Sequence, residues 1–488
     1  MSATGPPDSQ FDPDAVQAKY QKERDKRLIP GRAAIRDLTA DTLFARYRED
    51  PFTPFVHRDP IAEELDVAVV GAGIAGTVVG AQLRKAGIER ISLIDQAGGI
   101  GGTWYWNRYP GVMCDVESYI YLPMLEELDY LPTHKYAFGD EIREHLERIA
   151  EKYDLTSDAL FHTGVTSAEW DEHGARWIIR TDRNDVIRAR YVVMAVGILN
   201  LIKLPDIAGM ELFKGKSFHT ARWDYEYTGG DMHSRMDKLA DKTVAIIGTG
   251  ASAIQCILPL AESAEHLYVF QRTPSAVGVR NNRPTPPDFS EGLPPGWQRQ
   301  RMYNFHQVLD GQDVEDLVDD GWTHYEARVW NPRRHPGMTK EEFILQAEKE
   351  DFEIMEAHRR RIDETVTNPG VAEILKPYYR YLCKRPCFHD EYLPAYNLPN
   401  VTLIDCPAGI ERVTERGLIC NGEDYEFDCL VYATGFEAEV TPLSRRAGHE
   451  IVGRGGLRLA DKWAGGPATL PRPFHSRHPR ALTCGVGC

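Results

Sequence analysis

The chain has 488 residues, 42% of them apolar, and a formal net charge of −16. That length exceeds one ordinary domain and allows two or three, with enough apolar residues for a sizeable core. The acidity argues against a nucleic-acid or anionic-membrane surface, since both need clustered cations, and no uninterrupted apolar run approaches a membrane span.

The opening MSATGPPDSQFDPDA has no basic start and no apolar segment, so no secretory signal is expected there. The nine cysteines are scattered, and Cys383/Cys387 and Cys484/Cys488 are spaced C-x₃-C, unlike thiol redox motifs or zinc knuckles. Reduced thiols, a cytoplasmic location and no metal are the expectation. Residues 1–60 are polar and rich in Pro and Asp. They read as an arm with a short helix around the charged run Lys19 to Arg27, with no chemistry assigned.

A strand–turn–helix unit starts at Leu65. DVAVV is an apolar β-type run, GAGIAG follows at once, TVVGAQLRKAG has helical spacing, and ISLID reads as the next strand. In that context G-x-G-x-x-G predicts a dinucleotide turn. Gly71 permits the tight bend, Gly73 lets a pyrophosphate approach the backbone, and Gly76 lets helix and strand pack closely. Free N–H groups at the helix start would hold the phosphates. Asp95 lies 24 residues after Gly71. A carboxylate there suits ribose hydroxyls and repels a 2′-phosphate, which favours FAD over NADP in this first site.

Gly98 to Ser118, GGIGGTWYWNRYPGVMCDVES, is rich in glycine and aromatic residues. Glycines admit a dinucleotide, aromatic rings can flank its planar groups, and Asp115 can orient a cationic partner. Gly102, Thr103, Trp104, Asp115 and Tyr121 are the candidate contacts. A helix is predicted within Tyr136 to Tyr153, then strands over ARWIIRT and ARYVVMAVG, with Ala195 to Gly197 as the exit from the first fold.

The linker FKGKSFHTARWD precedes a second unit at Lys242, KTVAIIGTGASAIQ, with Gly248, Gly250 and Ala253 at the three turn positions. Arg272 lies 24 residues after Gly248, the offset of Asp95 in the first unit. Arg272 and Thr273 in place of the acid reverse the preference, because a guanidinium pairs bidentately with a 2′-phosphate. NADP(H) is therefore favoured over NAD(H). Residues 280–378 read as a helical insertion. Thr339 and Glu342 form a capping box opening a helix to about Val366, with Phe343, Ala347, Ile354 and Met355 on its buried side. The adjacent Lys384 and Arg385 follow, and the ATG of LVYATGFEAE marks the crossing back to the first fold.

Three segments together resemble one family. Phe213, Gly215, His219, Trp223 and Asp224 fit F-x-G-x₃-H-x₃-W-[PD]. Gly102, Trp104, Tyr109, Pro110, Gly111 and Asp115 fit G-x-W-x₄-[FY]-P-G-x₃-D, with Met113 where a polar or basic residue is expected. Lys384 and Arg385 match a Lys–Arg pair. On these residues the chain resembles the type I Baeyer–Villiger monooxygenases, class B flavoprotein monooxygenases, over roughly residues 65–470. The resemblance implies FAD and NADPH as cofactors and a small-molecule ketone and dioxygen as substrates. One oxygen is inserted beside the carbonyl, through a peroxyflavin, to give an ester or lactone. It also implies roles: Arg385 facing the flavin and stabilising the peroxide and the developing oxyanion, Asp115 holding Arg385, Lys384 at the NADP phosphate, and the linker of His219 and Trp223 coupling rotation of the two folds.

The expected fold is α/β, two Rossmann-like dinucleotide-binding domains with a helical insertion. An arm spans 1–60, an FAD-binding domain 61–204 and 433–488, an NADP-binding domain 205–279 and 379–432, and the insertion 280–378. After KWAGGPATL the resemblance stops. PRPFHSRHPRALTCGVGC holds Pro471, Pro473 and Pro479, four Arg or His residues within Arg472 to His478 and no acid. No further strand or helix is expected from it, and the domain is expected to be truncated there. Two other readings stay open: an N- or S-oxidising flavin monooxygenase, whose fingerprint normally lacks Trp followed by Pro or Asp, and a non-catalytic nucleotide-binding remnant.

Overall fold

Two sheets, each with a glycine turn after a buried parallel strand, organise the chain. The computed structural model describes residues 12–31, 34–39, 41–330, 337–438, 442–466, 474–475 and 478–483. In the first sheet, β1 (Ala62–Val70), β2 (Ile91–Ile94), β3 (Val165–Asp171), β4 (Arg176–Thr181) and β5 (Val186–Met194) lie in the order β3-β4-β5-β1-β2. β5, β1 and β2 are parallel, whereas β3, β4 and β5 are antiparallel neighbours. The last four residues of β1 and all of β2 are buried, as in strands covered on both faces. The second sheet contains β6 (Lys216–His219), β7 (Thr243–Ile247), β8 (His266–Gln271), β9 (Val401–Asp405) and β10 (Cys429–Tyr432), all parallel, in the order β9-β8-β7-β10-β6. One apolar cluster holds Trp104 and Tyr109 together with Ile246 and Ile257, so the two folds share a core.

Helix α1 (Pro13–Asp25) lies in the arm, α2 (Ile74–Lys85) follows β1, and α3 (Ala253–Ser263) follows β7. The turns between strand and helix demand glycine for two separate reasons. Gly71 has φ +111°, and a Cβ there would sit 2.3 Å from the Ala195 carbonyl; Gly248 has φ +118° and would meet the Ala433 carbonyl at 2.5 Å. Each glycine thus abuts the turn by which the chain leaves its sheet. Gly76 is excluded from bearing a Cβ by contact alone, 1.9 Å from the Gly71 carbonyl. Gly76→Ala is therefore expected to cost about 1–3 kcal/mol of stability. Chemical denaturation with flavin content monitored checks this, and an unchanged midpoint would contradict the packing.

Helix α4 (Lys340–Thr365) of the insertion begins with the expected box: Glu342 N–H donates to Thr339 Oγ1 at 3.2 Å, and Thr339 N–H to Glu342 Oε2 at 2.8 Å. Ile354 and Met355 are buried, but Phe343 and Ala347 are only half-buried, so α4 packs through its second half. In the arm, Asp12 caps α1, Tyr20 meets Phe352 edge-on at 5.7 Å, and Phe44 and Tyr47 are buried beside the second sheet.

The C-terminal segment departs from expectation. β11 (Ile451–Val452) adds parallel to β3, and β12 (His478–Thr483) runs parallel to β5, with Ala481, Leu482 and Thr483 opposite Val192, Val193 and Met194. A strand therefore forms where the prolines and basic residues predicted none. β4 covers β5 only as far as Ala189, which leaves residues 192–194 with unpaired backbone groups that a further strand satisfies. Pro479 precedes the run paired with β5 and sits at the irregular register of the short antiparallel pairing with Phe474–His475, so its missing N–H does not break the ladder to β5. Pro471, Arg472, Pro473, Cys484 and Cys488 lie outside the described residues. The seven described cysteines are unpaired. Among the described residues no helix is long and apolar enough to cross a membrane.

Candidate active site

Asp115 and Arg385, 270 residues apart, form a bidentate pair: Arg385 Nη1 donates to Asp115 Oδ2 at 2.6 Å and Nη2 to Oδ1 at 2.8 Å. The Asp115 side chain is 16% exposed and that of Arg385 51%, so the acid is sunk and the arginine is half exposed. Burial opposes ionisation of Asp115, but Arg385 and then Arg280 outweigh it and hold the carboxyl below its usual range.

Residues that the sequence did not single out fix this pair. Trp322 Nε1–H donates to the Asp115 main-chain carbonyl at 2.7 Å, and its ring centre lies 5.3 Å from the Arg385 guanidinium carbon. The Trp322 turn is itself pinned. Asp320 Oδ1 accepts the N–H groups of Trp322 and Thr323, at 2.9 and 3.0 Å, while the buried Lys135 ammonium donates to the carbonyls of Val318 and Asp319. The available signal was a lone tryptophan in the acidic run DDGWTHYE. Trp322→Phe keeps the ring and removes the N–H. It is expected to slow ester formation by up to about tenfold while the folding midpoint stays close to wild type; an unchanged turnover number would show that the bond positions nothing.

Gln255 on α3 ties the two folds. Its Oε1 accepts the Met113 N–H at 2.9 Å and its Nε2 donates to Tyr109 Oη at 3.0 Å. A Cβ on Gly111, φ +77°, would lie 2.6 Å from the Gln255 carbonyl, which accounts for the glycine there. Met113, the unexpected residue, contributes its backbone N–H here, and its Sδ accepts from Asn282 Nδ2 at 3.8 Å. Arg280, also missed, is buried and donates Nε–H to the Phe388 carbonyl at 2.9 Å.

The first glycine turn fits a dinucleotide. α2 begins at Gly73 without a side-chain cap, leaving its N-terminus to a ligand. Gly102 packs backbone to backbone on Gly73; a Cβ on Gly102 would lie 2.6 Å from Gly73 Cα. Thr103 opens the short helix Thr103–Trp106, and Trp104 Nε1–H donates to Tyr121 Oη at 3.0 Å with the rings edge to face. Asp95 accepts the Ala72 N–H at 2.6 Å and the Ala97 N–H at 2.8 Å. Burial pushes its carboxyl up and these donors oppose the rise, so the acid braces the turn while each oxygen keeps a second lone pair.

The second turn has the same form. Ser252 makes no cap bond to α3, Ala253 is buried at its first position, and the space in front of Gly250 is open to 4 Å. Arg272 at the tip of β8 joins no ion pair among the described residues. Lys384 Nζ donates to the Thr273 and Pro274 carbonyls at 2.9 and 3.1 Å and to Ser275 Oγ at 3.1 Å. Burial pulls the Lys384 ammonium down to about 8.

The linker residues form packing rather than a second catalytic cluster. Phe213 tilts against Phe427, and a Cβ on Gly215 would meet the Asp428 carbonyl at 2.5 Å. His219 ends β6, wholly buried, with Nδ1 accepting the Ala221 N–H at 3.1 Å; burial lowers it to about 3, so it stays neutral. Trp223 is 2% exposed and donates Nε1–H to Thr228 Oγ1. Asp224 caps the helix Tyr225–Thr228 and pairs with Lys216. Among the described residues no hydrogen bond joins these five to Asp115 or Arg385.

The family described as NAD(P)-binding Rossmann-like domain matches residues 69–131, which hold the first turn and Asp115. Pentalenolactone D synthase of Streptomyces arenae is 54% identical over 468 residues, 94% of this chain and 79% of that protein. A Baeyer-Villiger monooxygenase of Streptomyces coelicolor is 46% identical over 480 residues, 96% of this chain and 79% of that protein. The chain belongs to the Baeyer–Villiger monooxygenases. A solved structure of similar fold is the polycyclic ketone monooxygenase of Thermothelomyces thermophila, with TM-score 0.88, 37% identity, and coverage of 97% of this chain and 81% of that one. OTEMO, solved with FAD and NADP, matches with TM-score 0.70 and 30% identity over 87% of this chain and 80% of that one. As a Baeyer–Villiger monooxygenase the protein depends on FAD and NADPH and inserts one oxygen atom of dioxygen next to a ketone carbonyl, which displaces the N- or S-oxidising reading.

Proposed function

We propose that Arg385 and Asp115 are the catalytic pair of this Baeyer–Villiger monooxygenase, and that Arg272, Thr273 and Lys384 hold the 2′-phosphate of NADPH. The observation that carries the first assignment is the bidentate pair of a mostly buried carboxylate and a half-exposed guanidinium. Bound FAD, once reduced by NADPH, supplies the activated oxygen. Arg385 presents a fixed positive charge to the negative oxygen that develops during insertion. Asp115 holds the planar guanidinium in one orientation through charge-assisted bonds. Trp322 keeps the Asp115 backbone in place from the insertion. His219 ends β6 of the second sheet and Trp223 packs in the apolar cluster that the two folds share, and we assign them to coupling the relative motion of those folds.

In this reading the FAD-binding domain is 61–204 with 433–488 and the NADP-binding domain is 205–279 with 379–432. What supports the division is that strands of 62–194 and 451–483 share one sheet and β6, β7, β8, β9 and β10 the other, while residues 412–426 form a small antiparallel sheet of their own. The turns fit both dinucleotides: Gly73 and Gly102 line one, and open space faces Gly250 in the other. For substrate we propose a polycyclic ketone, on the likeness to a polycyclic ketone monooxygenase. NADPH consumption with monocyclic and polycyclic ketones, with product analysis to separate ester from released peroxide, tests this. Ester from monocyclic ketones alone would reject the substrate class, and none from any ketone with flavin bound would reject the catalytic pair.

A further inference from the structure

We propose that Arg27, just beyond the end of α1, is a third cation at the coenzyme phosphate corner and contributes to the choice of NADPH over NADH; this rests on the assignment of Arg272 and Lys384 made above. The arm brings Arg27 to the carboxyl end of β8. There its Nε–H donates to the main-chain carbonyl of Arg272 at 3.1 Å, across 245 residues of sequence. Lys384 donates to the carbonyls of the next two residues, Thr273 and Pro274. Three cationic side chains thus meet on one turn, which follows the strand whose tip selects the ribose 2′-substituent in folds of this kind.

Arg27 is held in place. Its side chain is only 14% exposed, and Nη1 donates to the Glu23 carbonyl at 2.9 Å and to Glu23 Oε2 at 2.7 Å. Glu23 is also shared with Lys26 at 2.8 Å and Lys19 at 3.6 Å, so one carboxylate is divided among three cations and Arg27 is incompletely neutralised. The helix beneath is anchored on the insertion by Tyr20 against Phe352 and by Lys19 to Glu373 at 3.5 Å. A guanidinium has five N–H donors. Three point at Arg272 and Glu23, and the two on Nη2 have no protein partner among the described residues. Asp405, opposite Gln271 on β9, is an acid at the same end of the sheet, but the cations outnumber it. A dianionic phosphate beside Arg272 would take up the unspent donors, whereas the 2′-hydroxyl of NADH offers them far less.

If Arg27 merely propped the backbone of Arg272, both coenzymes would suffer alike from its loss. Arg27→Ala, Arg27→Lys and Arg272→Ala are compared in the flavin-loaded enzyme by calorimetric titration with NADP⁺ and NAD⁺ at fixed ionic strength. Arg27→Ala is expected to weaken NADP⁺ binding about tenfold and NAD⁺ less than about twofold, with Arg27→Lys recovering part of the loss. Arg27→Gln, neutral but still able to donate, serves as a second variant should Arg27→Ala fail to fold. Equal losses for both coenzymes, or unchanged NADP⁺ affinity, overturn the proposal. If Arg272→Ala discriminates while Arg27→Ala does not, only the part given to Arg27 falls; if neither discriminates, the phosphate corner itself is misplaced.

Discussion

Arg385→Ala is expected to lower ester formation about 10²–10³-fold while NADPH still reduces the bound flavin at close to the wild-type rate. In the proposed roles the two steps separate because Arg385 acts on the oxygen that is inserted, whereas Arg272 and Lys384 hold the 2′-phosphate end of NADPH. Removing Arg385 also leaves Asp115 sunk at 16% exposure without the two bonds of 2.6 and 2.8 Å that hold it ionised. Burial then dominates, and its carboxyl rises toward protonation. Arg385→Lys keeps the charge but loses the planar fork, so it should recover only part of the activity. Stopped-flow measurement of flavin reduction beside quantified ester separates the steps. Ester at the wild-type rate from the alanine variant would remove Arg385 from the chemistry, and loss of flavin reduction would point to a structural role.

Arg272→Ala is expected to raise the KM for NADPH about 10–100-fold and leave that for NADH nearly unchanged, since a charge-assisted bond to phosphate is worth about 1.5–3 kcal/mol. Its guanidinium joins no ion pair among the described residues, so its removal leaves no buried partner exposed and the effect should be confined to the coenzyme. Lys384 adds a pH dependence. Its ammonium, brought down to about 8 by burial, is charged below that value and loses its proton as pH rises through it. The preference for NADPH should therefore fall above about pH 8, more steeply in the Arg272→Ala variant, where Lys384 supplies a larger share of the positive charge at the proposed phosphate corner. Steady-state KM values for both coenzymes across that range decide it. Parallel losses for NADPH and NADH would take the phosphate role from Arg272.

Both glycine turns, the acid and the arginine at matched offsets, the capping box at Thr339 and the pairing of Asp115 with Arg385 were legible in the amino-acid sequence. The turns and the box are local: they need a particular φ, a missing Cβ or a donor three residues away, and a window of about thirty residues holds the whole cause. Asp115 and Arg385 were legible for a different reason, because the resemblance carried a pairing that spacing alone does not contain. Trp322, Arg280, Gln255 and Arg27 were not legible. Each acts by meeting a main-chain or side-chain group more than 20 residues away in sequence, and for Trp322 and Arg27 that separation is 207 and 245 residues. The same is true of β12, whose prolines argue against a strand until the uncovered half of β5 supplies the partner. The sequence by itself determined where the two tight glycine turns fall and that an acid follows one and an arginine the other at the same offset, because those depend on backbone freedom and local charge. Only the tertiary structure decided what holds Asp115 and Arg385 still and what closes the open strand edge, because burial and unsatisfied backbone groups exist only once distant segments have packed.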